Sequence, residues 1–160
     1  MTSTPLRSSQ PDAARGPRTF GFMLKDVSQR YVRRFEQHAR GLSLTLAQCR
    51  ALVILESNQG LNQAHLARLI CAEPMTMVRI LDRMESDGLL ERRADPQDRR
   101  ARRLYLTRKA RPLLREIWML ADRTRDELFQ GVAARDRRLF VGVLQKLHEN
   151  ATAMPDTEAA

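Results

Sequence analysis

The chain has 160 residues, 42% hydrophobic and 29% charged, enough for one packed domain and ordinary for a globular protein. Its formal net charge is +9, and Lys25, Lys109 and Lys146 are the only lysines, so arginine carries the excess. No run of about 18 apolar residues is present, so no membrane span is expected, and the amino end lacks the apolar segment of a secretory signal.

Residues 1–18 are rich in Ser, Pro, Arg and Gly without periodicity and read as a disordered arm; residues 154–160 read as a frayed tail. Phe20, Leu24, Val27, Tyr31, Phe35, His38 and Leu42 recur at helical spacing, which predicts a first helix over 19–42 that ends near Gly41. Thr45 and Gln48 have the spacing of a capping box. The second helix then turns Leu46, Cys49, Leu52, Val53 and Leu55 mostly inward and ends at Asn58 to Gly60.

Asn62 is placed to cap a short third helix bearing Leu66, Leu69 and Ile70. Cys71-Ala72-Glu73 forms a turn, Pro74 opens a fourth helix and Gly88 closes it. Leu89 to Ala94 reads as a strand, Asp95 to Asp98 as a turn and Arg102 to Leu106 as the returning strand. Thr107 can cap a long fifth helix with a stripe of Leu113, Ile117, Leu120, Thr124 and Leu128. Pro112 should bend that helix or loosen its first turn. Gly131 to Ala134 breaks the pattern. Leu139, Phe140, Val143, Leu144 and Leu147 define a sixth helix.

Two adjoining segments carry the chemistry. On a wheel of about 100° per residue, Met77, Val78, Ile80, Leu81 and Met84 share one side of the fourth helix. Met75, Thr76, Arg79, Asp82, Arg83 and Ser86 share the other. A helix lying in the major groove reads bases with its amino-terminal residues. Arg79 can donate two hydrogen bonds to guanine, Thr76 can meet a base edge or a thymine methyl, and Met75 offers apolar contact. The hairpin holds Arg92, Arg93, Arg99, Arg100, Arg102 and Arg103. Arg99 and Arg100 lie at its tip, suited to a narrow minor groove of negative potential. Asp98 is assigned a structural task, accepting N–H groups or aiming a guanidinium. The competing readings are a solvated charged helix face and a soluble charged hairpin; their adjacency favours a DNA surface.

Other candidates are weaker. Cys49 and Cys71 have no metal-ligand or redox-pair spacing, which fits a reduced cytoplasmic setting. Cys49 reads as a small buried hydrophobe, whereas Cys71 sits in a turn. No metal site, cofactor, phosphate loop or catalytic constellation stands out, so no enzyme activity is expected.

These residues resemble the MarR family of transcription regulators, and most the SlyA-type branch. The resemblance rests on Leu44 to Gln48, Leu66 to Leu69, the continuous run Met75 to Arg92, Asp95 to Arg103, and Leu106-Thr107; the Asp98 and Arg100 pair is its most specific part. It implies a mainly α fold with a small β-hairpin wing: a winged helix-turn-helix over 43–107, between dimerisation helices at 19–42 and 108–153. It implies a homodimer that binds double-stranded DNA at a pseudo-palindromic operator, with half-sites about one helical turn apart. Pro74, Met75, Thr76, Arg79 and Arg83 then form the recognition helix, and Asp98, Arg99, Arg100 and Arg102 the wing. Asn62 and Gln63 are assigned phosphate contacts. The resemblance also suggests a repressor released by a small aromatic or phenolic ligand in a crevice between the two parts. Tyr31 and His38 are the candidates to line it, with plain packing of both rings as the alternative. A weakly specific architectural DNA binder is the second functional reading. A winged-helix module for an acidic protein partner is the third. The chain departs from the family pattern at Cys71 and Glu73, where relatives often carry Gly and Ser or Thr.

Overall fold

The computed structural model describes residues 16–96 and 101–154, with side chains from residue 19 onward. Asp98, Arg99 and Arg100 lie outside the described residues, as do residues 1–15 and 155–160. Among the described residues, six α-helices and one hairpin follow in chain order: α1 (Gly16–His38), α2 (Leu46–Ser57), α3 (Gln63–Ile70), α4 (Pro74–Ser86), β1 (Leu90–Ala94), β2 (Arg102–Leu106), α5 (Ala110–Leu128) and α6 (Ala134–Ala153). The chain divides into two compact units between Thr124 and Arg125, inside α5.

The helix boundaries have local causes. Helix α1 is described from Gly16, so residues 16–18, read from sequence with the preceding segment, are helical. A 3-10 turn over Ala39–Gly41 follows α1. The α2 capping box is complete: Thr45 Oγ1 accepts from the Gln48 N–H at 3.2 Å, and Gln48 Oε1 accepts from the Thr45 N–H at 2.8 Å. Asn62 Oδ1 caps α3 by accepting from the His65 N–H at 2.8 Å. After α4 the chain reverses at Gly88, whose φ of 70° favours glycine. The Leu89 N–H reaches back to Met84 O at 2.8 Å, which satisfies a terminal carbonyl.

Strands β1 and β2 pair antiparallel, with Leu90 opposite Leu106 and Arg92 opposite Leu104. The segment before α3 adds a further edge: the Gly60 N–H donates to Leu104 O at 2.8 Å and the Leu104 N–H to Leu61 O at 2.9 Å. Sequence pattern alone does not reveal this edge, since two residues carry no periodicity. Thr107 Oγ1 accepts from the Lys109 N–H at 3.2 Å, and α5 starts at Ala110. Pro112 is therefore the third residue of α5. Its missing N–H is one of the four that have no intrahelical partner, so the expected bend has no cause.

The first unit closes around one apolar cluster. Leu52, Leu55, Leu66, Met77, Leu81, Met84, Leu90 and Leu104 are all fully buried. Ala110, Leu114 and Ile117 bring the first half of α5 into the same cluster. The Thr124 hydroxyl is buried and donates to Leu120 O at 2.7 Å, so it is satisfied. In the second unit, Phe129 and Phe140 meet edge to face at 5.7 Å, and Arg137 Nε closes the turn on Val132 O at 2.7 Å. Helix α6 buries none of its residues in the single chain. Helix α1 buries Phe35, while Phe20, Leu24 and Val27 of its stripe stay exposed.

Leu81→Ala should lower the unfolding free energy by roughly 2–5 kcal/mol through a cavity under α4. Thr45→Ala should cost about 1 kcal/mol through the lost cap. Urea denaturation at fixed protein concentration measures both.

Candidate nucleic-acid interface

Helix α4 divides as its wheel requires. Met77, Leu81 and Met84 are buried, while Pro74, Met75, Thr76, Arg79 and Arg83 are exposed. The buried stripe packs on α2, α3 and β1, and this fixes which face looks out. Glu73 precedes the helix without a side-chain cap, so the first N–H groups of α4 stay open to an anion. Arg79 has no ion-pair partner among the described residues. Arg83 Nε lies 3.0 Å from Asp87 Oδ2, but its side chain is 72% exposed. A pair so wet is weak and readily exchanged for a phosphate.

The hairpin arginines do not act alike. Arg92 Nη2 sits 2.6 Å from Asp82 Oδ1, and its Nη1 donates to Glu85 Oε2. Burial opposes the Arg92 charge, but the two carboxylates outweigh it and hold the guanidinium pKa above its ordinary value. Arg93 donates to Glu91 and lies over the Tyr105 ring, 4.3 Å from its centre. Arg103 Nε lies 2.7 Å from Asp95 Oδ2; that hydrogen bond and the carboxylate's charge raise its pKa. Hence three of the six arginines read as a DNA-facing run pair with the protein's own carboxylates, Arg93 with its side chain still 60% exposed. Arg102 is exposed at the first residue of β2, with no ion-pair partner among the described residues. Asp95 aims the Arg103 guanidinium, while Asp98, expected to serve the wing in a similar way, lies outside the described residues.

Asn62 is exposed and Gln63 half-buried at the start of α3. Asn62 also bridges to Arg103 across the extra edge, which sets the start of α3 beside the wing strand. Tyr31 and His38 are both half-buried on α1, and Tyr31 Oη lies 3.5 Å from Ala121 O. Neither lines the cavity of about 410 Å³ in the first unit. Phe35, Glu36, Ala39, Arg40, Leu42, Leu44, Thr45, Leu46 and Cys49 line it. Sequence reasoning missed these residues because they combine the end of α1 with the start of α2, and no spacing rule joins them. Burial pushes the Cys49 thiol pKa up, which keeps it protonated and unreactive. No group of three His, Cys, Asp or Glu among the described residues could hold a metal. None of the described helices is long and apolar enough to cross a membrane.

The turn between α3 and α4, backed by the hairpin, defines a winged helix-turn-helix, a DNA-binding fold. The MarR family profile matches residues 44–101. Among solved structures, MarR itself is 31% identical, with 82% of this chain and 98% of that chain covered and a TM-score of 0.71. CouR, a transcriptional repressor solved on a 23-mer DNA duplex, is 29% identical, with 88% and 99% covered and a TM-score of 0.70. BpsR of Bordetella bronchiseptica, whose DNA binding is regulated by 6-hydroxynicotinic acid, is 26% identical, with 81% and 98% covered and a TM-score of 0.69. The chain belongs to the MarR family of transcriptional regulators.

Cys71, exposed in the turn, has φ 53° and ψ 45°, a left-handed conformation that glycine adopts without steric cost. Cys71→Gly should raise stability by up to about 1 kcal/mol, because relief of the left-handed strain exceeds the added chain entropy. A higher urea midpoint with an unchanged slope is the expected reading.

Proposed function

We propose that this regulator is a homodimeric, sequence-specific repressor of the SlyA-type branch, with α4 in the major groove and the hairpin on the flanking minor groove. The observation that carries this reading is the outer face of α4. Arg79 there is unpaired among the described residues and lies one turn after Thr76, at the open amino end of the helix. Arg102, Arg99 and Arg100 supply the wing contacts, Asp98 supports them, and Asn62 and Gln63 meet phosphate. Residues 43–107 form the DNA-binding part in this reading.

Dimerisation is supported by apolar side chains that the single chain leaves uncovered. Phe20, Leu24 and Val27 on α1, and Leu139, Phe140 and Val143 on α6, are all more than two-fifths exposed. Such faces are usually covered by a partner. Residues 19–42 and 108–153 hold the dimer together. Release by a small aromatic or phenolic ligand is supported by the cavity beside Phe35 and by the regulation of BpsR. A ligand that favours the DNA-incompetent dimer lowers DNA affinity by its differential binding to the two states.

Selection from a random duplex pool, followed by fluorescence anisotropy at two salt concentrations, tests the reading. A pseudo-palindromic site bound far more tightly than random duplex, by a particle of twice the chain mass, is the expected result. Equal, salt-sensitive binding to every duplex would instead identify an architectural binder. Arg79→Ala should lose about 1–3 kcal/mol of discrimination at one base position of each half-site. Arg100→Ala should weaken binding to all sequences and flatten the salt slope.

A further inference from the structure

Asp82 and Glu85 lie one turn apart on α4, beside the exposed Arg79 and Arg83. Carboxylates at that place repel phosphate, and nothing in base reading calls for them. The hairpin explains their presence. The chain reverses at Gly88, so β1 brings Arg92 over both groups. Arg92 Nη2 meets Asp82 Oδ1 at 2.6 Å, Nη1 donates to Glu85 Oε2, and its backbone N–H donates to Glu85 Oε1 at 3.2 Å. The Arg92 side chain is only 19% exposed. The ion pairs of Arg93 with Glu91 and of Arg103 with Asp95 stay within the hairpin, whereas that of Arg92 crosses from hairpin to helix. The same reversal is fastened from its far side by Lys109 Nζ on Asp87 O at 2.7 Å and Thr107 Oγ1 on Gly88 O at 2.6 Å.

We infer that Arg92 is a positioning residue for DNA reading. Its planar fork clamps β1 to α4, so that base-reading helix and wing approach the duplex as one rigid piece, and it cancels two carboxylates that would oppose the approach. This rests on the proposal that α4 and the wing contact DNA. Arg92 itself is committed to Asp82 and Glu85 and is not a DNA contact. A lysine at this position keeps the charge but loses the fork that spans both carboxylates.

The test uses the full chain, the duplex selected with the wild-type protein, and a random duplex of equal length. Arg92→Lys should lower the selected-over-random affinity ratio about tenfold, the scale of one mismatched base pair. Its affinity for random duplex should stay within about twofold of wild type, because net charge is unchanged. The double variant Asp82→Asn/Glu85→Gln should bind random duplex more tightly, yet lose the ratio to a similar degree. Glu91→Gln, which alters a pair inside the hairpin, should keep the ratio. If Arg92→Lys retains the full ratio, or if the double variant tightens both duplexes by one common factor, the groups act as charge alone and the inference is wrong. Should Arg92→Lys fail to fold, the double variant decides by itself. A wild-type protein that does not distinguish the two duplexes overturns the site-specific reading and this inference with it. Discrimination by the wild type that both variants preserve overturns the inference alone.

Discussion

Burial of one face of α4 is the constraint on which the rest depends. Met77, Leu81 and Met84 are fully buried against a cluster that draws on α2, α3, both strands and the start of α5. Each such side chain contributes roughly 1.5–3 kcal/mol when taken from water. That burial fixes the rotation of the helix about its axis, and thereby sends Thr76, Arg79 and Arg83 outward together. A slip of one residue would turn the helix by about 100° and place Arg83 in the cluster, or in the other sense Asp82 and Glu85, where an unpaired charge is prohibitively costly.

Arginine in this chain does two kinds of work that composition does not distinguish. Arg92, Arg93 and Arg103 satisfy carboxylates and shape the hairpin. Arg79 and Arg102 remain exposed. A positive surface for an anion must itself be held in place, and the planar guanidinium suits both tasks, since it can satisfy a carboxylate through two parallel bonds or offer the same fork to guanine or phosphate. In the proposed reading, the acidic residues of α4 and the hairpin are thus part of the scaffold of a basic surface.

The apolar faces of α1 and α6 show the limit of a periodic pattern. Phe20, Leu24 and Val27 have the spacing of a buried stripe, as do Leu139, Phe140 and Val143, yet the single chain leaves them exposed. Periodicity states that a face seeks cover; it does not state what covers it. In the proposed dimer the cover is a second copy, and DNA affinity then depends on an interface that lies outside the winged domain.

Much of this protein is determined by short-range chemistry that can be read along the chain. The capping box at Thr45 and Gln48, the cap at Asn62, the proline opening α4 and the glycine closing it each act within one turn, so local sequence is sufficient to place them. The order of helices and hairpin follows, and with it the winged helix-turn-helix. Tertiary structure decided what depends on residues far apart in sequence or on a reversal of direction. The engagement of Arg92 by Asp82 and Glu85 exists because Gly88 folds β1 back along α4. The edge that Gly60 and Leu61 add to β2, and the cavity between the end of α1 and the start of α2, arise from contacts that no spacing rule encodes. The harmless place of Pro112 lies between these cases. It follows from where α5 begins, and a first turn asks little of its sequence because its N–H groups have no intrahelical partners to lose.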